Sequence, residues 1–408
     1  MSSFDAQIEK AIQDGIIPGV VLLAKDKSGK LSYSKALGHA SLNPQSPQPM
    51  TTNTVFTLAS MTKLLTTVSV LQLVDRGLIS LESDVCPHLP ALAKQPILTG
   101  FSSSGEPITK PRTKPILLRH LLTHSSGLGY GFLDPLLARY AELKTGVPPR
   151  VGAPGPTTVE SRFDLPLLFE PGEGWTYGCG LDWCGLLLRT LTGQNLEEYL
   201  ATHVFPAVGV TPGRITFFPE QHRQTLQDMA MMTSRNEQTG RVEHAPLPTP
   251  EGDRDCFGGE AAVADLSEYL KVMESLLNDD GKLLTPQTAA RYMFTGQLKE
   301  QAAKQALLDG VKNNPGWIVG WVPDTGEYDF SCGGLLVTGD KLLATGGGQG
   351  RHKGFLMWSG VFNLNWWIDR EAGICGIFGT QVLQPADPLI RPLMKAFEEE
   401  IFARAAKL

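Results

Sequence analysis

Ser60-Met61-Thr62-Lys63 is the pattern in this chain best suited to covalent chemistry. On a helix, positions three apart share a face, so the hydroxyl and the ammonium group would meet. A serine at a helix start also sits in a field that favours developing negative charge. A lysine held out of water beside it is a candidate acceptor for the serine's proton. A second copy, Ser32-Tyr33-Ser34-Lys35, falls in a strand pattern. Residues three apart in a strand point to opposite faces, so that copy is set aside. Other candidates are weaker. His120 and His124 are four apart but lack the glutamate of a metalloprotease helix and a third ligand, so they read as structural and no metal is expected. No serine has the G-x-S-x-G elbow. Gly346 to Gly350 is glycine-rich without dinucleotide spacing, and no cofactor is expected. The acidic run Glu398 to Glu400 reads as a solvated helix face.

The elements that must position Ser60 and Lys63 follow from pattern and punctuation. A helix is predicted over 4–14, stopped by Gly15. Segments 19–24 and 31–36 flank a Lys27-Ser28-Gly29 turn and predict a β-hairpin. The Ser60 helix is predicted over 61–76, with Leu64, Leu65, Val68, Leu71 and Leu73 on its apolar side and Gly77 as the stop. Residues 98–115 read as a loop. Residues 145–163, with four prolines, read as a long excursion forming a wall or lid. Further helices are predicted at 181–192, 195–203, 263–278 and 388–406. Strands are predicted at 316–322, 332–338, 341–345, 354–358, 363–369 and 373–379, the last two joined by a turn from Asp369 to Gly373. The sheet is therefore assembled from both ends of the chain. The expected fold is α/β (α+β), an antiparallel sheet flanked by helices, with an α/β lobe from 1–55 and 315–408 and a mostly helical lobe from 56–314 in a single catalytic domain.

Composition narrows the function. The chain has 408 residues, 42% apolar and 19% charged, and a net charge of −6. That fits a globular protein and gives no basic patch for nucleic acid. No apolar run approaches a membrane span, and the N-terminal segment lacks a secretory pattern. A cytoplasmic location is expected. The six cysteines (Cys86, Cys179, Cys184, Cys256, Cys332 and Cys375) are scattered and read as buried free thiols.

Around the tetrad, Phe56 to Lys63 resembles the nucleophile motif of the serine β-lactamase and penicillin-binding-protein family. His120 to Leu128 (HLLTHSSGL) is similar to a second family segment. Pro171-Gly172-Glu173 with Trp175-Thr176-Tyr177, Phe205 to Val210, and Cys256 to Gly259 with Ala264-Asp265-Leu266 are similar to three more. The resemblance runs from about residue 4 to 405 and implies a β-lactamase-like fold. Within the family the chain looks most like the class C and family VIII esterase branch. Phe132 to Tyr140, Trp175 to Gly178 and Leu181-Asp182-Trp183 resemble the fungal polyketide transesterases of the lovastatin acyltransferase type.

The resemblance implies that Ser60, Lys63 and Tyr177 are catalytic, with Tyr177 shuttling protons. Two departures matter. Tyr177-Gly178-Cys179 stands where β-lactamases have Tyr-x-Asn, and leaves Cys179 as a bystander. Trp358-Ser359-Gly360, in the run WSGVFNLNWWIDR, stands for Lys-Thr-Gly in preference to His352-Lys353-Gly354. Both remove anchors for a β-lactam. The backbone N–H groups of Ser60 and Val361 would form the oxyanion hole, and Trp358, Ser359, Gly360 and Trp366 would line the substrate. The expected activity is acyl transfer through acyl-Ser60, from a thioester or ester donor to a hydroxyl of a natural product. Ester hydrolysis, or cyclisation through the same acyl-serine, is the alternative. The donor would ride on coenzyme A or a carrier protein, the latter then a transient partner. Trp358, Trp366, Trp367, Phe355 and Phe362 would supply apolar walls for a bulky small-molecule alcohol.

Overall fold

The computed structural model describes residues 3–150, 157–246, 255–313, 320–323, 326–346 and 349–408. Its main sheet has eight antiparallel strands: β1 (Gly19–Asp26), β2 (Ser32–Ser41), β3 (Gln48–Pro49), β4 (Tyr328–Phe330), β5 (Leu335–Val337), β6 (Leu356–Gly360), β7 (Leu364–Asp369) and β8 (Ile374–Gly379). The spatial order is β4-β5-β6-β7-β8-β1-β2-β3. The N-terminal hairpin thus completes a sheet begun by the C-terminal third, through β1 paired with β8. β1 is buried from Gly19 to Ala24, as expected of a strand covered on both faces. Its turn is held by Asp26, whose carboxylate accepts from the N–H groups of Ser28 (3.2 Å) and Leu31 (2.8 Å). The β7–β8 turn is held in the same way, by Ala372 N–H on Asp369 (2.8 Å).

Five helices frame the sheet and the site: α1 (Ser3–Gln13), α2 (Thr62–Asp75), α3 (Gly180–Thr192), α4 (Leu266–Asn278) and α5 (Arg391–Ala405). α5 covers one sheet face, where Trp367 and Phe355 stack on Phe402. α2 is buried along almost its whole length and packs on α3. A helix buried on every side, with Thr66, Thr67, Ser69 and Gln72 covered as well as its leucines, belongs in the middle of a large core.

Several expectations change. Residues 98–115 are not all loop: Ile97–Phe101 pairs with Pro107–Lys110. The second of these strands is exposed throughout, so it carries no apolar alternation to read. The segment 263–278 is not helical from its start. Val263–Asp265 is a strand paired with Val55–Thr57 and Ile215–Thr216, and Asp265 caps α4 by accepting from Ser267 N–H. Helices Pro135–Thr145 and Gln301–Asn313 and strand β4 lie where no element was predicted. The strand expected at 316–322 falls largely on residues outside the described ones, as do 151–156 of the excursion and 347–348 of the glycine run. The described end of the excursion packs inward, with Val159 and Phe163 buried.

Candidate active site

Ser60 stands on a 3-10 turn, Ala59–Met61, at the head of α2. Ala59 before it has φ +46°, a conformation that strains a side-chain-bearing residue and tightens the turn. Leu58 N–H bonds Ala262 C=O (2.9 Å), and Tyr269 donates to Met61 C=O (2.8 Å). The turn is therefore clamped from both sides before Ser60 projects.

Lys63, one turn on, is 4% exposed. Its Nζ reaches Ser60 Oγ (3.1 Å), Gly259 C=O (2.7 Å) and the Tyr130 hydroxyl (3.2 Å). Tyr177 donates to Ser60 Oγ (2.7 Å) and accepts from Trp358 Nε1 (3.3 Å). The Lys63 ammonium position lies 4.8 Å from the Tyr177 ring centre. Ser60, Lys63 and Tyr177 thus meet at one point, reached from the head of α2 and from the loop that carries Tyr177, beside Trp358 of β6.

Tyr177 is held by aromatic rings. His124 meets it edge-on at 4.6 Å, Trp358 at 5.2 Å and Tyr130 at 5.5 Å. His124 is 1% exposed, and its Nδ1 accepts Gly178 N–H (3.3 Å). Burial, and then the Lys63 charge, hold its pKa well below the ordinary value, so the ring is neutral. The pair His120 and His124 holds backbone and rings; among the described residues no group of metal-ligating side chains forms. Gly178 must be glycine, because a Cβ there would lie inside contact distance of Leu128 C=O. Cys179 beside it is buried, and burial raises its thiol pKa well above the ordinary range, which leaves it inert. All six cysteines are buried and free.

Trp358, Ser359 and Gly360 end β6 beside the Ser60 turn, with Val361 half-buried after them. Trp366 differs from its expected role. It pairs in register with Trp358 and so shares its sheet face, but it is 0% exposed and offers a substrate no surface. Trp367 and Phe355 face α5 instead. Only Trp358 of the three tryptophans touches the site.

Two site residues were not anticipated. Tyr130 is fully buried between Lys63 and Asp182, donating to Asp182 Oδ2 (3.2 Å). Asp182 Oδ1 accepts Gly259 N–H (2.8 Å). Asp182 had a signal in the sequence, an acid inside the apolar run Gly180 to Leu188. Tyr130 had none beyond following the HLLTHSSGL segment.

Comparison with known proteins places this geometry. The Beta-lactamase family profile matches residues 4–397. The chain is similar to monacolin J acid methylbutanoyltransferase of Aspergillus terreus, 36% identical with 98% of this chain and 95% of that one covered. It is also similar to lovastatin esterase of Penicillium rubens, 35% identical with 98% of each chain covered. A solved structure of a mutant simvastatin synthase from Aspergillus terreus superposes with a TM-score of 0.87, at 33% identity and 99% coverage of both chains. The chain is an enzyme of the acyltransferase and serine-esterase kind. It belongs to the beta-lactamase family, on the side where fungal acyltransferases and esterases of statin polyketides lie.

Proposed function

We propose that Ser60 is the nucleophile and that Lys63 and Tyr177 form its proton-transfer pair, in an enzyme that moves an acyl group from a thioester to a hydroxyl of a bulky polyketide-like alcohol. One observation carries the reading: Ser60 Oγ lies within hydrogen-bond reach of both Tyr177 OH (2.7 Å) and Lys63 Nζ (3.1 Å). Such contacts let one group take the proton as the other returns it.

In the first half, Ser60 Oγ attacks the thioester carbonyl and its proton passes to the pair. The backbone N–H groups of Ser60 and Val361 receive the oxyanion. The C–S bond breaks, and the thiolate leaves with that proton. In the second half, the acceptor hydroxyl attacks acyl-Ser60, gives its proton to the pair, and Ser60 leaves reprotonated. Trp358, Ser359 and Gly360 edge the substrate. The donor is carried on coenzyme A or a carrier protein, which suits a cytoplasmic enzyme, and residues 1–408 act as one catalytic unit. Aromatic rings around Tyr177 suit a hydrocarbon-rich acceptor. Hydrolysis is the second reading, favoured by the similarity to lovastatin esterase; the two differ in whether water reaches acyl-Ser60.

The test has two stages. Intact-protein mass spectrometry after incubation with a panel of acyl thioesters should show one acyl adduct, absent in Ser60→Ala. An adduct on Ser60→Ala, mapped to another residue, overturns the assignment. The loaded enzyme is then given polycyclic polyketide alcohols. Ester product in excess of free acid supports transfer, and free acid dominating with every alcohol at saturation establishes the hydrolase.

A further inference from the structure

α3 is apolar on nearly every side, yet it carries a carboxylate with no exposed surface, Asp182. A buried carboxylate persists where hydrogen bonds or charges compensate its lost hydration. Among the described residues no lysine or arginine pairs with it directly. Its partners are Gly259 N–H (2.8 Å) and Tyr130 O–H (3.2 Å). The same two residues accept from Lys63, through Gly259 C=O (2.7 Å) and the Tyr130 oxygen (3.2 Å). A Cβ at residue 259 would collide with the Asp182 carboxylate, so glycine is needed for this approach.

We infer that Asp182 is a positioning residue: by accepting the Tyr130 hydroxyl it leaves the phenol oxygen free to accept from Lys63, and so aims the lysine's lone pair at Ser60. This rests on the reading of Lys63 as a proton acceptor. A neutral lysine amine has two N–H groups and one lone pair. The N–H groups point at Gly259 C=O and Tyr130 O, and Ser60 Oγ, at 3.1 Å, takes the remaining direction.

Asp182→Asn inverts this pattern with almost no change of shape. The Gly259 N–H still needs an acceptor, so the amide oxygen stays there and the amide NH2 faces Tyr130. It donates to the phenol oxygen. The phenol proton must then turn to Lys63 and occupy the lone pair meant for Ser60. Orientation errors of this kind, with geometry intact, lower rates by orders of magnitude.

The inference has a pH signature. Burial first, and then the charge of Glu260, raise the Asp182 carboxyl to about 7, and Lys63 opposes this only in its ammonium form. The other titratable groups around it are Tyr130, Tyr177, Cys179 and Cys184, with Arg162 beyond, 3.5 Å from Glu260. Burial keeps Tyr130, Cys179 and Cys184 protonated. Acylation should therefore rise with pH through about 7 as Asp182 becomes an acceptor.

The experiment measures single-turnover formation of acyl-Ser60 from p-nitrophenyl butanoate by quenching and intact mass, across this pH range. Asp182→Asn should acylate on the order of 10²–10⁴-fold more slowly and lack the limb near neutrality. Tyr130→Phe cuts the same link from its other end, so adding Asp182→Asn to it should cost little more. Three results would each overturn the inference: acylation by Asp182→Asn within about threefold of the unmutated enzyme, retention of the limb, or the same fold loss from Asp182→Asn whether or not Tyr130→Phe is also present. Lys63→Ala separates the two readings. If it acylates normally, the assignment of Lys63 itself fails; if it is inactive while Asp182→Asn is normal, only the inference about Asp182 fails.

Discussion

Asp182→Asn should stabilise the protein while crippling it. The carboxyl ionises near 3.8 when free and near 7 in the fold. At about 1.4 kcal/mol per tenfold change in proton affinity, holding it ionised in the fold costs about 4 kcal/mol at alkaline pH. The sign follows from proton counts. Between 3.8 and about 7 the folded state binds more protons than the unfolded one, so stability falls as pH rises through that window. Above 7 the penalty is complete. Asparagine removes it. Taking about 2 cal/mol/K of unfolding entropy per residue over 408 residues, 4 kcal/mol corresponds to a melting point higher by about 5 °C near pH 8. Near pH 5 Asp182 is protonated in the fold, and the gap should shrink to about 2 kcal/mol, or about 2 °C. Calorimetric melts of both proteins at the two pH values make the measurement. A lower melting point for Asp182→Asn near pH 8, or a gap that does not change with pH, refutes the reasoning.

Lys63→Ala and Tyr177→Phe should each lower acylation by roughly 10²–10⁴-fold, and the double variant should be little worse than the poorer single one, because both serve the same proton; multiplying losses would mean that they act independently. His120 should weaken the fold in acid. Burial lowers its pKa from 6.5 to about 4, and its Nδ1 accepts Leu117 N–H (3.2 Å). The neutral ring's contribution is present above 6.5 and lost as pH falls toward 4, about 3 kcal/mol in all. Melting His120→Gln over that range should give a flatter acid limb, and an unchanged limb would assign the acid sensitivity elsewhere.

How much of this was legible in the chain depends on how local each cause is. The N-terminal hairpin was, because Asp26 and Gly29 act within a few residues of the turn they close. The pairing of β1 with β8 was foreseen only as a sheet built from both ends; its register joins residues more than 300 apart. The helix Pro135–Thr145 was legible and passed over. Asp134 caps it by accepting from Leu136 and Leu137, Pro135 opens it and Gly146 closes it at φ +74°. Its apolar stripe is thin, so periodicity missed what the caps announced. The tryptophans mislead for a related reason. Nearness in sequence groups Trp358, Trp366 and Trp367, whereas pleat and register send Trp367 to the far face and bury Trp366 behind the first.

The site divides in the same way. Ser60 and Lys63 are three residues apart, and helix geometry alone brings them together. Tyr177 came from resemblance, and its meeting with Ser60 spans 117 residues. Tyr130 and Gly259 meet Lys63 across 67 and 196 residues, and no local rule joins them. Yet the arrangement has a physical logic. A carboxylate in direct contact with a lysine favours the ammonium form, which has no lone pair to accept a serine proton. A lysine with no polar partners has no fixed direction. Setting Asp182 one phenol and one peptide unit away from Lys63 serves both needs. The carboxylate fixes the two acceptors, the acceptors fix the amine, and the negative charge stays out of contact with the group that must work uncharged.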